Sequence, residues 1–412
     1  MSQLNIITYI CNKYFYLVFE IYMIQVDQAL SIIAENCCKM PIRKIKVAKS
    51  LGFILAETIF SPMDMPPFRQ SSMDGYAFLH SELQQFDVVN TLQAGGFLNK
   101  EIKKNQAVRI FTGAFVPDHL DTVVMQEHTT VENKTVEITK MPSRFANVRN
   151  KGEQIKENEL VFEKNTLITP AAIGFLACLG ITEIRVYAKP KVAIVVTGNE
   201  LVKAGKKLPR GKIFESNSIM LNSCLQGVGI KKIEAFRVKD NLKATEKILK
   251  HCLSAFDVVL VSGGISVGDY DFVKEALLSN GVEELFYKIN QKPGKPLFFG
   301  KKDKTIVFAL PGNPASTLTS FYIYVHPALK INMGFEAIHL PKIKRKISSA
   351  IENTSGKTLF LKGFYDDEKV SVLESQSSAM LNTFAVANAL IYLPYDVANI
   401  EKDLEVMVIP LN

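Results

Sequence analysis

Apolar positions first recur at helical spacing over residues 26–38, where Val26, Ala29, Leu30 and Ile33 would share one face of an amphipathic helix. Between residues 64 and 148 the period shortens to β-like runs at 87–89, 107–111, 122–127 and 135–139, broken by Gly, Asn and Pro. A second helical pattern at 170–179 has the texture of the first. The arrangement predicts a β-rich domain (64–148) inserted into a discontinuous helical linker domain (23–63 and 149–188). Over residues 189–335, buried strands at 192–196, 233–237, 258–261 and 306–310 alternate with helices at 218–226, 242–253, 271–278 and 315–330. That alternation predicts a doubly wound α/β domain. The last stretch, 340–412, is β-like again and closes on a strand at 405–409. The fold class expected is therefore α/β multidomain, with a C-terminal β-barrel-like domain.

The apolar stretch 6–24 is interrupted by Lys13 and Glu20 and has no A-x-A cleavage site, so it predicts neither a membrane span nor a leader. We read residues 1–22 as an N-terminal extension lying upstream of a start at Met23. With 412 residues, 47% hydrophobic and 22% charged, the chain is ordinary globular material for several domains. The net charge of +8 comes from Lys and Arg spread along the whole chain. Dispersed charge favours small anions as ligands over nucleic acid, which calls for a concentrated basic stripe. The six cysteines show no C-x-x-C spacing and predict reduced, mostly buried thiols in a cytoplasmic protein. Nor do the six histidines pair at zinc-site spacing, so any metal should be a hard one held by oxygen.

Candidate chemistry lies in the loops that follow the α/β strands, where open parallel sheets bind ligands. Thr197-Gly198-Asn199-Glu200 follows the first strand and Val238-Lys239-Asp240 the second. The third leads into Ser262-Gly263-Gly264-Ile265-Ser266-Val267-Gly268, with Asp271 at a helix start. Glycines allow close backbone approach to a phosphate, so Ser262, Gly263, Gly264, Ser266 and Gly268 form a candidate cradle. Three carboxylates on one face, Glu200, Asp240 and Asp271, repel one another unless a cation intervenes, and Mg²⁺ bridging to phosphate oxygens meets that need. Each feature also has a plain structural use, Asp271 as a helix cap for instance. It is their convergence that favours chemistry. Lys288, Lys292 and Lys295 lie in a segment stiffened by Pro293, Gly294 and Pro296, which predicts aimed ammonium groups. The fourth strand ends in Pro311-Gly312-Asn313-Pro314, with Asn313 expected as N-cap and Pro314 at the first helical position.

Several segments together resemble the molybdopterin molybdenumtransferase (molybdenum insertase) family, bacterial relatives of the gephyrin E domain. They are Pro66-Pro67-Phe68-Arg69-Gln70-Ser71-Ser72-Met73-Asp74-Gly75-Tyr76-Ala77, Arg109-Ile110-Phe111-Thr112-Gly113-Ala114, Asp121-Thr122-Val123-Val124-Met125-Gln126-Glu127, Thr197-Gly198-Asn199-Glu200-Leu201, 262–274, Lys292-Pro293-Gly294-Lys295-Pro296 and Leu310-Pro311-Gly312-Asn313-Pro314. They occur in family order from Met23 to the C-terminus. The resemblance implies a homodimer whose active sites are shared between subunits, in which adenylylated molybdopterin and molybdate give molybdenum cofactor and AMP. It implies functional roles for Asp74, Thr112, Glu200, Asp240, Asp271, Lys288, Lys292, Pro311 and Pro314. Lys295, Gly312, Asn313 and Ser378 are assigned with the cradle to binding of the pterin substrate. A supply partner, the adenylyltransferase, follows from the same chemistry.

Departures from the family pattern are local. Gln154 replaces a frequent Asp, Lys357 and Lys362 stand where arginines are common, and Ser377-Ser378-Ala379 replaces a Gly-Ser-Gly turn. Lysine keeps the charge but loses the bidentate fork suited to an oxyanion, which leaves molybdate or tungstate preference open. Two other readings compete: a molybdopterin adenylyltransferase, which normally consists of the α/β module alone, and a non-catalytic gephyrin-like dimeric scaffold.

Overall fold

The computed structural model of the protein describes residues 23–265 and 272–411. Contacts divide the chain into two units. One gathers the described residues up to Arg43, Gly52–Ile54 and everything from Val186 onward; the other holds Lys44–Leu51 and Leu55–Arg185. The finer division into linker, inserted, α/β and C-terminal domains stays a proposal.

The first unit is built on a six-stranded sheet in the spatial order Ile233–Val238, Val192–Thr197, Val258–Ser262, Thr305–Leu310, Phe298–Lys302, Glu283–Tyr287. The first four strands are parallel, Phe298–Lys302 runs antiparallel to them, and Glu283–Tyr287 pairs antiparallel with Phe298–Lys302. Every residue of Val192–Thr197 and Val258–Ser262 is buried, as a strand covered on both faces requires. Alternation sends Val192, Ile194 and Val196 to one core, and Ala193 and Val195 to the other. Each such branched side chain contributes ~1.5–3 kcal/mol by leaving water. The helix Val26–Asn36 places Val26, Ala29 and Ile33 in the first of these cores and packs against the helix His326–Asn332. The predicted helix at 315–330 is a continuous helical stretch from Pro314 to Asn332, with a π-helical segment at Phe321–Val325.

The same unit carries a closed barrel. Its strands run in the order Thr358–Tyr365, Lys369–Val372, Ile343–Ile347, Glu405–Pro410, Ala389–Leu393, and the last pairs back to the first. Closure leaves no exposed edges within the barrel itself. A two-residue strand, Gln291–Lys292, joins it from outside, parallel to Thr358–Tyr365, with Gln291 opposite Thr358 and Lys292 opposite Leu359.

The second unit centres on a mixed six-stranded sheet ordered Thr122–Met125, Gly75–Phe78, Gln106–Ile110, Gln85–Leu92, Thr135–Ile138, Thr129–Glu132. Its helix Pro170–Cys178 opens with Pro170 in the first turn, and the Thr169 hydroxyl accepts from Ala172 N–H at 3.2 Å.

The five described cysteines are free, but Cys38 and Cys178 are exposed and only Cys37 and Cys252 are buried. The exposed pair corrects the expectation of mostly buried thiols: Cys178 is the last residue of its helix, and Cys38 lies just past the end of Val26–Asn36, where the chain leaves its packed face. Burial pushes Cys37 and Cys252 up to about 12, which keeps both as thiols. No described helix is long and apolar enough to cross a membrane.

Candidate functional site at the strand carboxyl ends

The four parallel strands of the first unit deliver their loops to one cavity of about 650 Å³. Thr197, Gly198 and Glu200 follow the first, Asp240 the second, Ser262, Gly263 and Gly264 the third, and Pro311 to Pro314 the fourth, all on its wall. Gly198 adopts φ +150°, and a Cβ there would fall 2.8 Å from the Glu200 carboxylate, so glycine lets Glu200 fold back toward the strand. Asn199 N–H donates to Asp240 Oδ2 at 2.8 Å, and Asp240 N–H returns a bond to Asn199 Oδ1 at 3.3 Å. This exchange fixes the two acidic loops against each other. Gly263, at φ +95°, lies so close to the first strand that a Cβ would meet Thr197 O at 2.8 Å. Its own N–H is committed to the Leu310 carbonyl at 3.2 Å.

Asn217 is a pocket residue that sequence reasoning missed. Its Nδ2 donates to Ser262 Oγ at 2.9 Å and to Gly312 O at 2.8 Å, tying two of the loops together. The other end of the amide, Oδ1, is buried without a partner among the described residues, as is Thr197 Oγ1 on the same wall. Native interiors rarely leave such oxygens unpaired, and a pair of them in one cavity marks a place for a ligand. Ile213 and Phe214 line this cavity too, although 56% and 45% exposed. An exposed apolar pair followed by Glu215-Ser216-Asn217 was the available signal. The predicted helix began one residue too late, at Ser218, and left Asn217 in the loop.

No lysine stands among the described residues that line the cavity; of the basic segment only Pro296 does. Lys288 sits at φ +71° with Nζ 4.9 Å from the Tyr287 ring centre. Its ammonium is held below the usual lysine range first by burial, then by Lys295 and Lys274. The Tyr287 hydroxyl donates to Ile265 O at 2.7 Å, so the same ring pins the end of the glycine turn. Lys292 and Lys295 ride on a loop fixed from beneath by Gln291, which is 1% exposed. Gln291 Nε2 donates to the carbonyls of Pro293 and Gly294, each at 3.1 Å, and Oε1 accepts from the buried Tyr324 hydroxyl. Gln291 was unread in the sequence.

Asn313 occupies the N-cap position before Pro314, but its side chain does not cap the helix. Instead Nδ2 donates to Ser378 Oγ at 2.9 Å, and Ala315 N–H donates to Ser378 O at 3.1 Å. This contact corrects the capping role expected of Asn313 and brings Ser378 beside the cavity, where Ala379 forms part of the wall.

In the second unit, Asp74 and Thr112 meet at one end of two antiparallel strands. Asp74 Oδ1 accepts from both the backbone N–H and the hydroxyl of Thr112, each at 2.8 Å. Those two bonds, helped by Arg109, hold the carboxyl below the usual carboxylate range. Gly75 explains the Asp-Gly pair, since a Cβ there would fall 1.7 Å from Val124 O.

Ser266, Gly268 and Asp271 lie outside the described residues. Of the three acidic candidates, Glu200 and Asp240 share the cavity wall. Among the described residues no group of three or more His, Cys, Asp or Glu side chains converges as a metal site. The donors present, two carboxylates with the Thr197 and Asn217 oxygens, are nevertheless hard. They fit Mg²⁺, which commonly takes one or two carboxylates and fills its shell with water and phosphate oxygens.

A doubly wound sheet with such a cavity defines a class of α/β proteins that take anionic ligands beyond the carboxyl ends of their strands. Residues 24–180 match the family described as MoeA N-terminal region (domain I and II), 193–331 the one described as probable molybdopterin binding domain, and 344–411 the MoeA C-terminal region (domain IV). A molybdopterin molybdenumtransferase of Haemophilus influenzae is 34% identical over 95% of this chain and 99% of its own length. One from Staphylococcus epidermidis is 34% identical over 90% of this chain and 91% of its own. Among solved structures, a molybdopterin biosynthesis MoeA protein of Pyrococcus horikoshii superposes with a TM-score of 0.81 at 26% identity, covering 95% of this chain and 99% of that one. The chain belongs to the molybdopterin molybdenumtransferase family and, as a member, is a transferase.

Proposed function

We propose that the protein transfers molybdate to adenylylated molybdopterin, releasing AMP and forming molybdenum cofactor. The observation that carries this reading is the cavity itself, where Thr197 Oγ1 and Asn217 Oδ1 lack partners among the described residues on the wall they share with Glu200 and Asp240. Water adds across the phosphoanhydride, so AMP and the pterin phosphate separate. The two dithiol protons leave with one molybdate oxygen as water while both sulfurs bond molybdenum. Glu200 and Asp240, with Asp271, are the residues that would hold Mg²⁺, which when bound neutralises phosphate charge. Thr197 and Asn217 orient the adenylate, and the glycine turn at Gly263 and Gly264 admits its phosphates closely. Lys288, Lys292 and Lys295 supply the positive field for phosphate and oxyanion.

The partners proposed are a second copy of this chain and the adenylyltransferase that supplies the substrate, in the cytoplasm. The β-rich part bearing Asp74 and Thr112 would complete the site of the other subunit. Purified protein incubated with adenylylated molybdopterin, Mg²⁺ and molybdate should release AMP in step with active cofactor. Glu200→Gln should lower that release at least about a hundredfold, on the scale of losing a group that stabilises transition-state charge. Wild-type protein that releases no AMP under these conditions refutes the proposal.

A further inference from the structure

The Lys362 side chain leaves its barrel strand on the face shared with Phe360, opposite to Leu359 and Leu361 of the barrel core, and is 3% exposed. Its ammonium donates to the carbonyls of Ser375 at 2.8 Å, Met380 at 3.0 Å and Ser377 at 3.2 Å. A lysine ammonium has three N–H donors, and three carbonyls consume them all. No carboxylate pairs with it among the described residues, so carbonyl dipoles alone compensate the buried charge, an arrangement that is stable only when every donor is satisfied.

The loop it holds leads directly to the cavity. Ser375 sits at φ +59°, a left-handed conformation that a non-glycine residue keeps only when its surroundings enforce it. Gln376 braces the loop from the other side: its Oε1 accepts from Lys362 N–H at 2.9 Å, and its Nε2 donates to Lys362 O at 2.9 Å and Leu373 O at 2.7 Å. Two residues further on, Ser378 bonds Asn313 and Ala315 at the start of the helix beside the cavity, and Ala379 forms part of the cavity wall.

We infer that Lys362 is a positioning residue, an internal strut whose ammonium shapes the 375–380 loop into a wall of the substrate cavity, and not a ligand for the oxyanion. The inference rests on the cavity being the pterin site proposed above. It also reinterprets the lysine-for-arginine departure, because a point charge with three donors matches three carbonyls where a planar fork does not.

Amide hydrogen exchange reads the strut without reference to turnover. Lys362→Met and Gln376→Leu should each raise exchange at 375–380 and at Ala315 by at least about tenfold, while the ladder between Thr358–Tyr365 and Ala389–Leu393 stays protected. Lys362→Arg, whose planar fork does not match three converging carbonyls, should leave exchange in the loop above wild type but below that of Lys362→Met. Both destabilising variants should raise KM for the pterin substrate by a common factor and leave KM for molybdate unchanged. Unaltered loop protection in Lys362→Met together with a raised KM for molybdate overturns the inference. Should Lys362→Met fail to fold, unaltered protection in Gln376→Leu overturns it equally. Exchange that follows these expectations in a protein releasing no AMP would refute the proposed reaction and leave the strut standing.

Discussion

Gln291 shows how one buried amide can set the geometry of charged groups it never touches. Replacing it with leucine strands the Pro293 and Gly294 carbonyls and the Tyr324 hydroxyl in a dry interior. The expected cost is on the order of 3 kcal/mol in urea unfolding, with kcat/KM for AMP release falling at least about tenfold. Tyr324→Phe removes a single donor and should cost ~1 kcal/mol. Lost stability with unchanged kcat/KM would show that the bracket serves folding alone. Nothing in the sequence marks this residue. Its burial arises from pairing with Thr358 and from contact with a helix more than thirty positions away, and such distances carry no local pattern. Asp74 and Thr112, by contrast, were visible through the resemblance, although the reason for Gly75 needed the strand register.

Strands and helices were the most legible elements, since runs such as Val192–Thr197 and Val258–Ser262, apolar up to their last residue, suit a strand buried on both faces. The antiparallel pair Glu283–Tyr287 and Phe298–Lys302 was not foreseen. The first of these opens on two exposed glutamates, Glu283 and Glu284, and the lysine segment between the two strands reads as a loop. The turn after Val258–Ser262 offers a test at this scale. Gly263→Ala must place a methyl 2.8 Å from Thr197 O at φ +95°. This should cost ~2 kcal/mol or more and reduce AMP release beyond tenfold, on the order of 1.4 kcal/mol in transition-state binding. Gly205 has a similar φ of +85° but open space around its Cβ position, so Gly205→Ala should cost only ~1 kcal/mol and spare activity. Equal damage from both would mean that left-handed strain, and not crowding of the cradle, governs the turn.

For the molecule as a whole, the proposed sharing of sites between subunits is open to genetic complementation. Homodimers of Asp74→Ala and of Glu200→Ala should both be inactive. A heterodimer of the two, isolated through different tags, should recover about half of wild-type AMP release, because one of its two sites pairs unaltered Asp74 with unaltered Glu200, as symmetric dimers allow. A heterodimer as inactive as its parents would place both residues in a site made by one chain. The parallel pairing of Gln291–Lys292 with Thr358–Leu359 has a consequence for recombination among relatives. A crossover in the segment between the α/β helices and the barrel would look harmless, since it cuts no strand. Yet it would graft a foreign barrel onto a resident lysine loop whose edge bonds were matched to another sequence. Functional chimeras should therefore inherit residues 288–297 from the same parent as 340–411, two stretches distant along the gene that descend as one piece.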